Sequence, residues 1–158
     1  MLPLETNHRR ISVETWSPGM PQPVLDAAAY ILHLPSSLSA SSASTRSTIK
    51  RDLQTYIGIL AARRCAMLIL TARLLPPPGS VDRDVEAISR VRDLTLLQLA
   101  NEWETELAEF EDLVSSVRDS DGRLVVVDTL WARNNLPVGL AVKYQEDPEF
   151  SQEPGIQK

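Results

Sequence analysis

The sequence has 158 residues and a formal net charge of −5, with 43% hydrophobic and 23% charged residues. This length is typical of one domain with a hydrophobic core, and the negative charge argues against a module that neutralises nucleic-acid phosphates. The single cysteine, Cys65, excludes an internal disulfide framework and zinc sites built from paired cysteines. We therefore expect a soluble intracellular protein that binds no nucleic acid and holds no metal or cofactor.

The first third of the chain predicts one short helix between two less regular segments. Residues 1–22 show little periodicity, apart from an alternation at 11–16 that would suit a short strand. The apolar spacing in 24–34 predicts an amphipathic helix that ends before a proline, with His33 near its carboxyl end in a structural rather than a catalytic role. The serine-rich stretch 36–47 predicts a linker, because its small side chains bury too little area to offset the entropy of ordering.

Residues 48–75 predict the first of two long helices, because apolar side chains recur along them at alternating steps of four and three. The run at 65–70 is apolar all round, which indicates burial on more than one side. The segment is long enough to span a membrane, but it contains Arg63, Arg64 and Arg73. Each central arginine would cost about 2.5 to 3.5 kcal/mol on insertion. We therefore expect a buried helix and no membrane span.

Residues 80–118 contain neither proline nor glycine and predict a single long helix around which the rest of the chain is organised. Ser80 is a suitable N-cap, and acidic residues in the first turns oppose the positive end of the helix dipole. From the middle onward, large apolar residues recur every three or four positions and form a seam on one face. The seam comprises Leu96, Leu99, Trp103, Leu107, Phe110, Val114 and Val117.

The stretch 101–112 within this helix carries five glutamates and one aspartate, and no basic residue. Such a run is typical of a solvated helix face, and the alternative is a docking surface for a basic partner. A metal site is disfavoured, because no histidine, cysteine or calcium-loop pattern accompanies the carboxylates.

The connection at 76–79 is so short that the two long helices should pack as an antiparallel hairpin. Pairing outward from this turn brings Arg63 and Arg64 near Arg92 and Asp93. These side chains predict either a structural ion-pair network or the polar wall of a small pocket. The network is the more ordinary of the two.

The second long helix should overhang the first by about ten residues, at about 1.5 Å per residue. Leaving the large apolar side chains of the overhang in water would forgo about 1.5 to 3 kcal/mol each. We therefore predict that they are covered, in part by the short N-terminal helix and in part by a partner. The predicted interaction surface comprises Trp103, Glu104, Glu106, Phe110, Leu113, Val114 and Val117.

The C-terminal part predicts a small β-hairpin. A turn signal at 119–122 precedes a valine-rich strand at 123–128, and residues 138–144 could form the return strand. Two strands alone are marginal in water, so they should lie on the helices. Residues 145–158 predict a flexible acidic tail.

The sequence carries no glycine-rich phosphate loop, serine-nucleophile elbow or paired-histidine metal motif, and we name no catalytic residue. It predicts a mainly α fold: an antiparallel long-helix hairpin, a short N-terminal helix and a small C-terminal β-hairpin. The single domain would be 23–144.

For function, these features favour a non-enzymatic interaction or assembly subunit that binds another protein or a second copy through its helical seams and acidic face. The alternative is a small helical-bundle enzyme with a polar pocket near the middle of the hairpin. We favour the non-enzymatic role.

Overall fold

Helices and strands alternate along the chain, which gives an α/β fold. The computed structural model describes residues 17, 20–34 and 43–147, without the side chains of 43–45. The elements are β1 (Ala29–His33), α1 (Ala43–Ala62), β2 (Met67–Thr71), β3 (Leu74–Leu75), α2 (Arg83–Ala100), β4 (Thr105–Glu106), α3 (Leu107–Ser115), β5 (Gly122–Trp131) and β6 (Pro137–Glu146).

The main sheet has four strands in the order β1-β2-β6-β5. β1 and β2 run parallel, with Leu32 opposite Leu70, whereas β6 runs antiparallel to both β2 and β5. β2 lies between two neighbours, and its sequence MLILT is an almost continuous apolar run, as expected of an interior strand. β3 and β4 pair in parallel outside this sheet.

The core lies on one face of the sheet, which α1 and α3 cover. Because strand residues alternate between faces, every second residue of β2 and β6 points towards the helices. The buried residues on these two strands include Leu68, Leu70, Leu140 and Val142. The helices contribute Leu53, Tyr56 and Leu60 from α1 and Phe110, Leu113 and Val114 from α3. The rings of Tyr30 and Tyr56 meet edge to face, with centroids 5.8 Å apart, and thereby join β1 to α1.

The predicted fold class, mainly α with a long-helix hairpin, is wrong. Residues 24–34 contain strand β1 instead of a helix, and in 48–75 the helix ends at Ala62 before strand β2 begins. The apolar run at 65–70 is the physical reason for the second error, because six apolar residues suit a buried strand as well as a buried helix.

The predicted single helix at 80–118 is divided into α2 and α3. Asn101 ends α2 in the left-handed conformation, at φ 52° and ψ 39°, which asparagine tolerates better than most residues. Its N–H donates to the oxygen of Leu97 at 3.0 Å, and the N–H of Glu102 donates to the oxygen of Leu96 at 3.4 Å. The first of these is the bond of the αL capping motif, in which the N–H of the left-handed residue bonds to the carbonyl oxygen four residues earlier. The apolar spacing continues across this break and therefore does not reveal it.

The two C-terminal strands are longer than the predicted hairpin, with ten residues each, and they supply half of the main sheet. The division into an irregular segment at 1–22, a domain at 23–144 with a linker at 36–47, and a tail at 145–158 stays a prediction. The strand predicted at 11–16 lies outside the described residues. In the described part of the chain, no helix combines the length and the hydropathy that a bilayer crossing requires.

Candidate functional site: the exposed face of α2

α2 lies on the outside of the fold and begins at a well-defined point. The carboxylate of Asp82 caps it by accepting a hydrogen bond from the N–H of Asp84 at 3.0 Å. One turn later, the carboxylate of Glu86 accepts from the N–H of Gly79 at 2.9 Å. Among the residues of α2 only Ser89 is buried. The helix therefore contacts the rest of the molecule along a narrow side.

A buried carboxylate anchors the middle of α2. Glu104, whose side chain is 1% exposed, accepts two hydrogen bonds from the guanidinium of Arg92, at 2.6 and 2.5 Å. The N–H of Glu104 donates to the carboxylate of Asp93 at 2.7 Å. About half a turn before Arg92, Arg90 lies 3.4 Å from the carboxylate of Glu106. These contacts pair the charges on the inner side of α2 and fix the rotation of the helix about its axis.

Five large apolar residues of α2 are exposed, with exposed fractions from 41% to 83%: Ile88, Val91, Leu94, Leu97 and Leu99, which we call the α2 apolar face. At about 100° per residue, Val91 and Leu94 lie on the outer side of the helix, with Ile88 and Leu99 on one flank and Leu97 on the other. The charged residues within this stretch are Arg90, Arg92 and Asp93, which are bonded on the inner side. Burying one such apolar side chain contributes about 1.5 to 3 kcal/mol, and contiguous exposed patches of this kind mark interaction sites. These residues therefore place apolar area on the surface of the described part of the chain.

The predicted interaction residues occupy different environments. The apolar members Phe110, Leu113, Val114 and Val117 lie in the core. Trp103 is 41% exposed, Glu104 is buried against Arg92, and Glu106 is exposed. A role in binding stays a prediction for these residues, and the core members would have to leave their packing to reach a partner.

The predicted cluster of Arg63, Arg64, Arg92 and Asp93 is distributed over two places. Arg92 and Asp93 are brought together by Glu104, and Asp93 lines a cavity of about 200 Å³ whose wall includes Trp103, Glu104 and Glu106. Arg64 instead pairs with Glu146 on the exposed surface. Arg63 follows the end of α1, where its N–H donates to the oxygen of Ile59 at 3.0 Å.

The predicted acidic face is also divided between elements. Its first half is partly neutralised by the arginines of α2, as described above. Glu111 and Asp112 of α3 line a groove of about 560 Å³ against β5, together with Arg123 and Asp128. The carboxylates of 101–112 therefore face different directions.

A second polar feature lies where the two parallel strands of the main sheet end. His33 and Thr71 are the last residues of β1 and β2, and the Nδ1 atom of His33 lies 2.9 Å from the hydroxyl oxygen of Thr71. In open α/β sheets, ligands bind outside the carboxyl ends of parallel strands. Sequence reasoning missed this pair because it placed His33 at a helix end. The short run of tyrosine, isoleucine and leucine before the histidine was the available strand signal.

No family model matches the chain. It is 54% identical over 147 residues to the geodin cluster transcriptional coactivator gedD of Aspergillus terreus, which covers 92% of this chain and 38% of that protein. It is 48% identical over 136 residues to the monodictyphenone cluster transcriptional coactivator mdpA of Emericella nidulans. This match covers 85% of this chain and 28% of that protein. It is 46% identical over 139 residues to the notoamide biosynthesis cluster transcriptional coactivator notR of an Aspergillus species. This match covers 86% of this chain and 30% of that protein. The chain spans less than two fifths of the length of each of these relatives.

The fold resembles larger solved structures. A structure described as a pericyclic reaction enzyme has a TM-score of 0.57 at 15% identity and covers 82% of this chain and 29% of its own. A LepI complex with SAM has a TM-score of 0.58 at 15% identity, with the same coverage. LaPhzM has a TM-score of 0.55 at 18% identity, and the match covers 87% of this chain and 36% of LaPhzM. At these identities the likeness concerns the fold alone.

Three functional predictions are corrected by these findings. The non-enzymatic assembly subunit with helical seams is wrong, because the relatives are named as transcriptional coactivators and the fold is not a helical bundle. The alternative prediction, a small helical-bundle enzyme, is wrong for the same structural reason. The preference for a non-enzymatic chain is corrected as well, because solved structures that share this fold include an enzyme, but at 15% identity this likeness assigns no activity to the chain.

Proposed function

We propose that this chain takes part in transcriptional coactivation of a biosynthetic gene cluster. The similarity to gedD across 92% of the chain carries the proposal, and the two other relatives, named for other clusters, support the same role. Such a role gives the protein an intracellular site of action and protein partners. That no nucleic acid binds directly to this chain stays a prediction.

The α2 apolar face supports this proposal from the side of the structure, because a coactivator works by contacting other proteins. A helix that presents apolar residues at steps of three and four is a common recognition element. Here Ile88, Val91 and Leu94 follow at steps of three on the exposed side, while α2 is held in place from its inner side. The surface therefore combines a fixed orientation with apolar area that a partner can bury.

The test is complementation in a strain that lacks the gene for this protein. Transcripts of the neighbouring biosynthetic genes are measured after return of the wild type, of Leu94→Asp, or of Leu25→Asp. Leu25 is the matched control, because it is 63% exposed but lies outside the helices and strands. We expect the wild type and Leu25→Asp to restore the transcripts and Leu94→Asp to fail at equal protein level. Unchanged transcripts in the deletion strain would reject the function.

A second candidate function is action on a small molecule at the carboxyl ends of β1 and β2. The observation that favours it is the contact between His33 and Thr71, which places an imidazole and a hydroxyl together at the edge where α/β folds bind ligands. An imidazole and a hydroxyl can both donate hydrogen bonds to a polar ligand and accept them from it.

The cofactor named for the LepI complex, SAM, does not fit the residues of this chain. Nucleotide-type cofactors are held by glycine-rich turns between a strand and a helix, and the six glycines here are scattered singly along the sequence. We therefore derive no step through SAM. Calorimetric titration with SAM checks this conclusion, and comparison of metabolites from strains carrying wild type and His33→Ala tests the second candidate. Identical metabolite profiles at equal transcript levels would reject it.

A further inference from the structure

We infer that the outer edge of β5 binds a short extended segment of another protein that carries a basic residue, and that this segment joins the main sheet as an added strand. The site is the groove between α3 and β5, which is separate from the α2 apolar face. The inference goes beyond the proposed function, because it names a peptide-binding surface that does not depend on a role in transcription.

The first argument is that β5 offers unpaired backbone groups. It is the last strand of the main sheet, so within the described residues it has a neighbouring strand on one side only. The N–H of Leu124 donates to the oxygen of Val117 at 2.9 Å and therefore points away from β6. In an antiparallel strand the N–H and C=O groups of every second residue point the same way. Those of Val126 therefore point outward too, and no backbone group of the described residues pairs with them.

The second argument is that the open part of this edge has definite ends. At its start, Arg118 forms an antiparallel bridge with Arg123. At its far end, the carboxylate of Asp128 accepts a hydrogen bond from the N–H of Thr129 at 2.8 Å. The pairing with β6 is also irregular between Val126 and Asp128, and a bulge interrupts regular pairing. An added strand therefore pairs over about three or four residues, centred on Val126.

The third argument is the charge of the groove. Its volume of about 560 Å³ is within the range of about 300 to 1,000 Å³ that is usual for ligand sites. Glu111, Asp112 and Asp128 line it, opposed by Arg123. Glu111 and Asp112 form no ion pair or side-chain hydrogen bond with any described residue. A lysine or arginine on the added strand would therefore meet two carboxylates that are free to pair with it.

The same charges disfavour two other strands. Because α3 lies beside this edge, pairing β5 with β5 of a second copy about a two-fold axis would bring Glu111 and Asp112 towards the same residues of that copy. Like charges at short range repel each other. Residues 148–158 of this chain contain two glutamates, two prolines and one lysine. The glutamates would be repelled, and each proline lacks the N–H that strand pairing uses.

Residues 9–16 of this chain have a more suitable composition, because Arg9 and Arg10 precede the alternation at 11–16. Their place in the chain disfavours them. They precede β1, which lies at the opposite edge of the sheet from β5, about 14 Å away at about 4.8 Å per strand. Gln22, which follows them, is held beside α1 by a hydrogen bond of 3.0 Å to Tyr56. We therefore assign the edge to another protein.

The test is fluorescence anisotropy of the full chain with a labelled, end-capped hexapeptide that alternates valine and lysine. We expect saturable binding, and binding at least tenfold weaker for a hexapeptide that alternates valine and glutamate. Asp112→Lys should weaken binding of the lysine peptide by about five- to tenfold. Glu109→Lys is the matched control, because Glu109 is exposed on the same helix but lies outside the groove, and it should change the affinity by less than about twofold. Absence of binding at millimolar peptide, or equal losses in the two variants, would overturn the inference.

Two further measurements test whether the peptide binds as a strand. N-methylation of the lysine peptide removes the N–H groups that pair with β5 and should weaken binding by about tenfold or more. Val126→Pro should have a similar effect, because it removes the outward N–H, and proline is tolerated on an edge strand where that group faces solvent. Circular dichroism shows whether this variant remains folded, and if it does not, the methylated peptide with the wild type decides. Equal affinity for the two peptides would overturn strand addition.

The remaining experiments identify any other occupant. If residues 9–16 covered the edge, Arg9→Glu combined with Arg10→Glu would raise the affinity for the lysine peptide, whereas an unchanged affinity supports a segment from another protein. A wild-type dimer in sedimentation equilibrium that the lysine peptide dissociates would assign the edge to a second copy. All these measurements use purified protein, so they test the inference independently of the transcript assay.

Discussion

The carboxylate of Glu104 and the guanidinium of Arg92 form a two-bond contact between a buried and a part-exposed side chain. The exposed fractions are 1% for Glu104 and 35% for Arg92. The contact joins the segment before β4 to the middle of α2 and anchors the helix to the rest of the fold. Removing one partner should therefore have a much larger effect than removing both.

Arg92→Leu should lower the free energy of unfolding by about 3 kcal/mol, because it leaves a buried carboxylate without its counter-charge. The double variant with Glu104→Leu should recover most of this loss. Urea denaturation measures the free energy of unfolding of the single and the double variant. Arg64→Leu is the control, since its partner Glu146 and Arg64 itself are both largely exposed, and it should cost less than about 1 kcal/mol. Equal losses in the two arginine variants would contradict the anchoring role.

Gly139→Ala should destabilise the protein, because β6 approaches the central strand too closely to admit a methyl group. A Cβ atom at Gly139 would lie 2.4 Å from the backbone oxygen of Leu70, and a backbone atom of an interior strand cannot easily move. We expect a loss of about 1 to 3 kcal/mol, seen as a lower thermal midpoint.

Gly58→Ala provides the matched comparison. Gly58 lies inside α1, where an added Cβ meets nothing within 4 Å. The same substitution should therefore stabilise by about 0.5 to 1 kcal/mol, because alanine favours the helix. If the thermal midpoint moved in the same direction in Gly139→Ala and Gly58→Ala, this packing argument would be contradicted.

Tyr144→Phe should reduce the loss of stability at alkaline pH. Burial and the hydrogen bond from the Tyr144 hydroxyl to the carboxylate of Asp119, at 2.9 Å, raise the pKa of Tyr144 from 10.0 to about 12. Because the folded value is the higher one, the stabilising contribution is complete below pH 10.0 and is lost as the pH rises towards about 12. Across this pH range, the free energy of unfolding should fall more steeply for the wild type than for the variant.

The pKa of the partner carboxylate, Asp119, is shifted in the opposite direction to that of Tyr144. Burial opposes ionisation of Asp119, but hydrogen bonds from the N–H of Asp121, the Tyr144 hydroxyl and the N–H of Gly122 outweigh it and lower the pKa of Asp119. Its contribution is therefore present above the pKa of the unfolded chain and is lost as the pH falls below it. Tyr144→Phe should weaken this acid-side contribution as well, and parallel pH profiles for the two proteins would disprove the coupling.

Phe110→Ala should cost about 3 to 5 kcal/mol, because the ring is 1% exposed and its removal leaves a cavity between α3 and the sheet. Leu99→Ala is the comparison from the α2 apolar face. Leu99 is 83% exposed, so its removal should change the stability of the single chain by less than about 0.5 kcal/mol. Thermal unfolding at low protein concentration distinguishes the two, and a large loss for Leu99→Ala would mean that this face is already covered within the chain.

Local features of the fold could be predicted from the sequence, whereas its long-range pairing could not. The valine run of β5 and the turn before it identified the C-terminal strands, and the three prolines identified the end of an element. The parallel pairing of Ala29–His33 with Met67–Thr71 joins segments separated by a helix, and no local pattern encodes it. Both strands are short and apolar, so their periodicity did not distinguish them from helix.

The candidate site was only partly predictable for a related reason. Arg92, Asp93 and Glu104 were recognised as charged residues of interest, but their contact depends on the break at Asn101, which folds the chain back on α2. The apolar spacing suggested one continuous seam. Instead, Phe110 after the break lies in the core, whereas Leu99 before the break faces solvent.

Within the described part of the chain, β1 pairs on one side only, and this affects the order in which the protein folds. The β5-β6 pair closes across residues 132–136, whereas β1 reaches β2 only after the chain has closed a loop that includes α1. Loop closure costs entropy that grows with length, so local pairing precedes distant pairing. Folding should therefore proceed from the C-terminal hairpin through β2 to β1. In the native state the amides of β1 should be the first in the sheet to exchange with solvent, ahead of those in the two central strands.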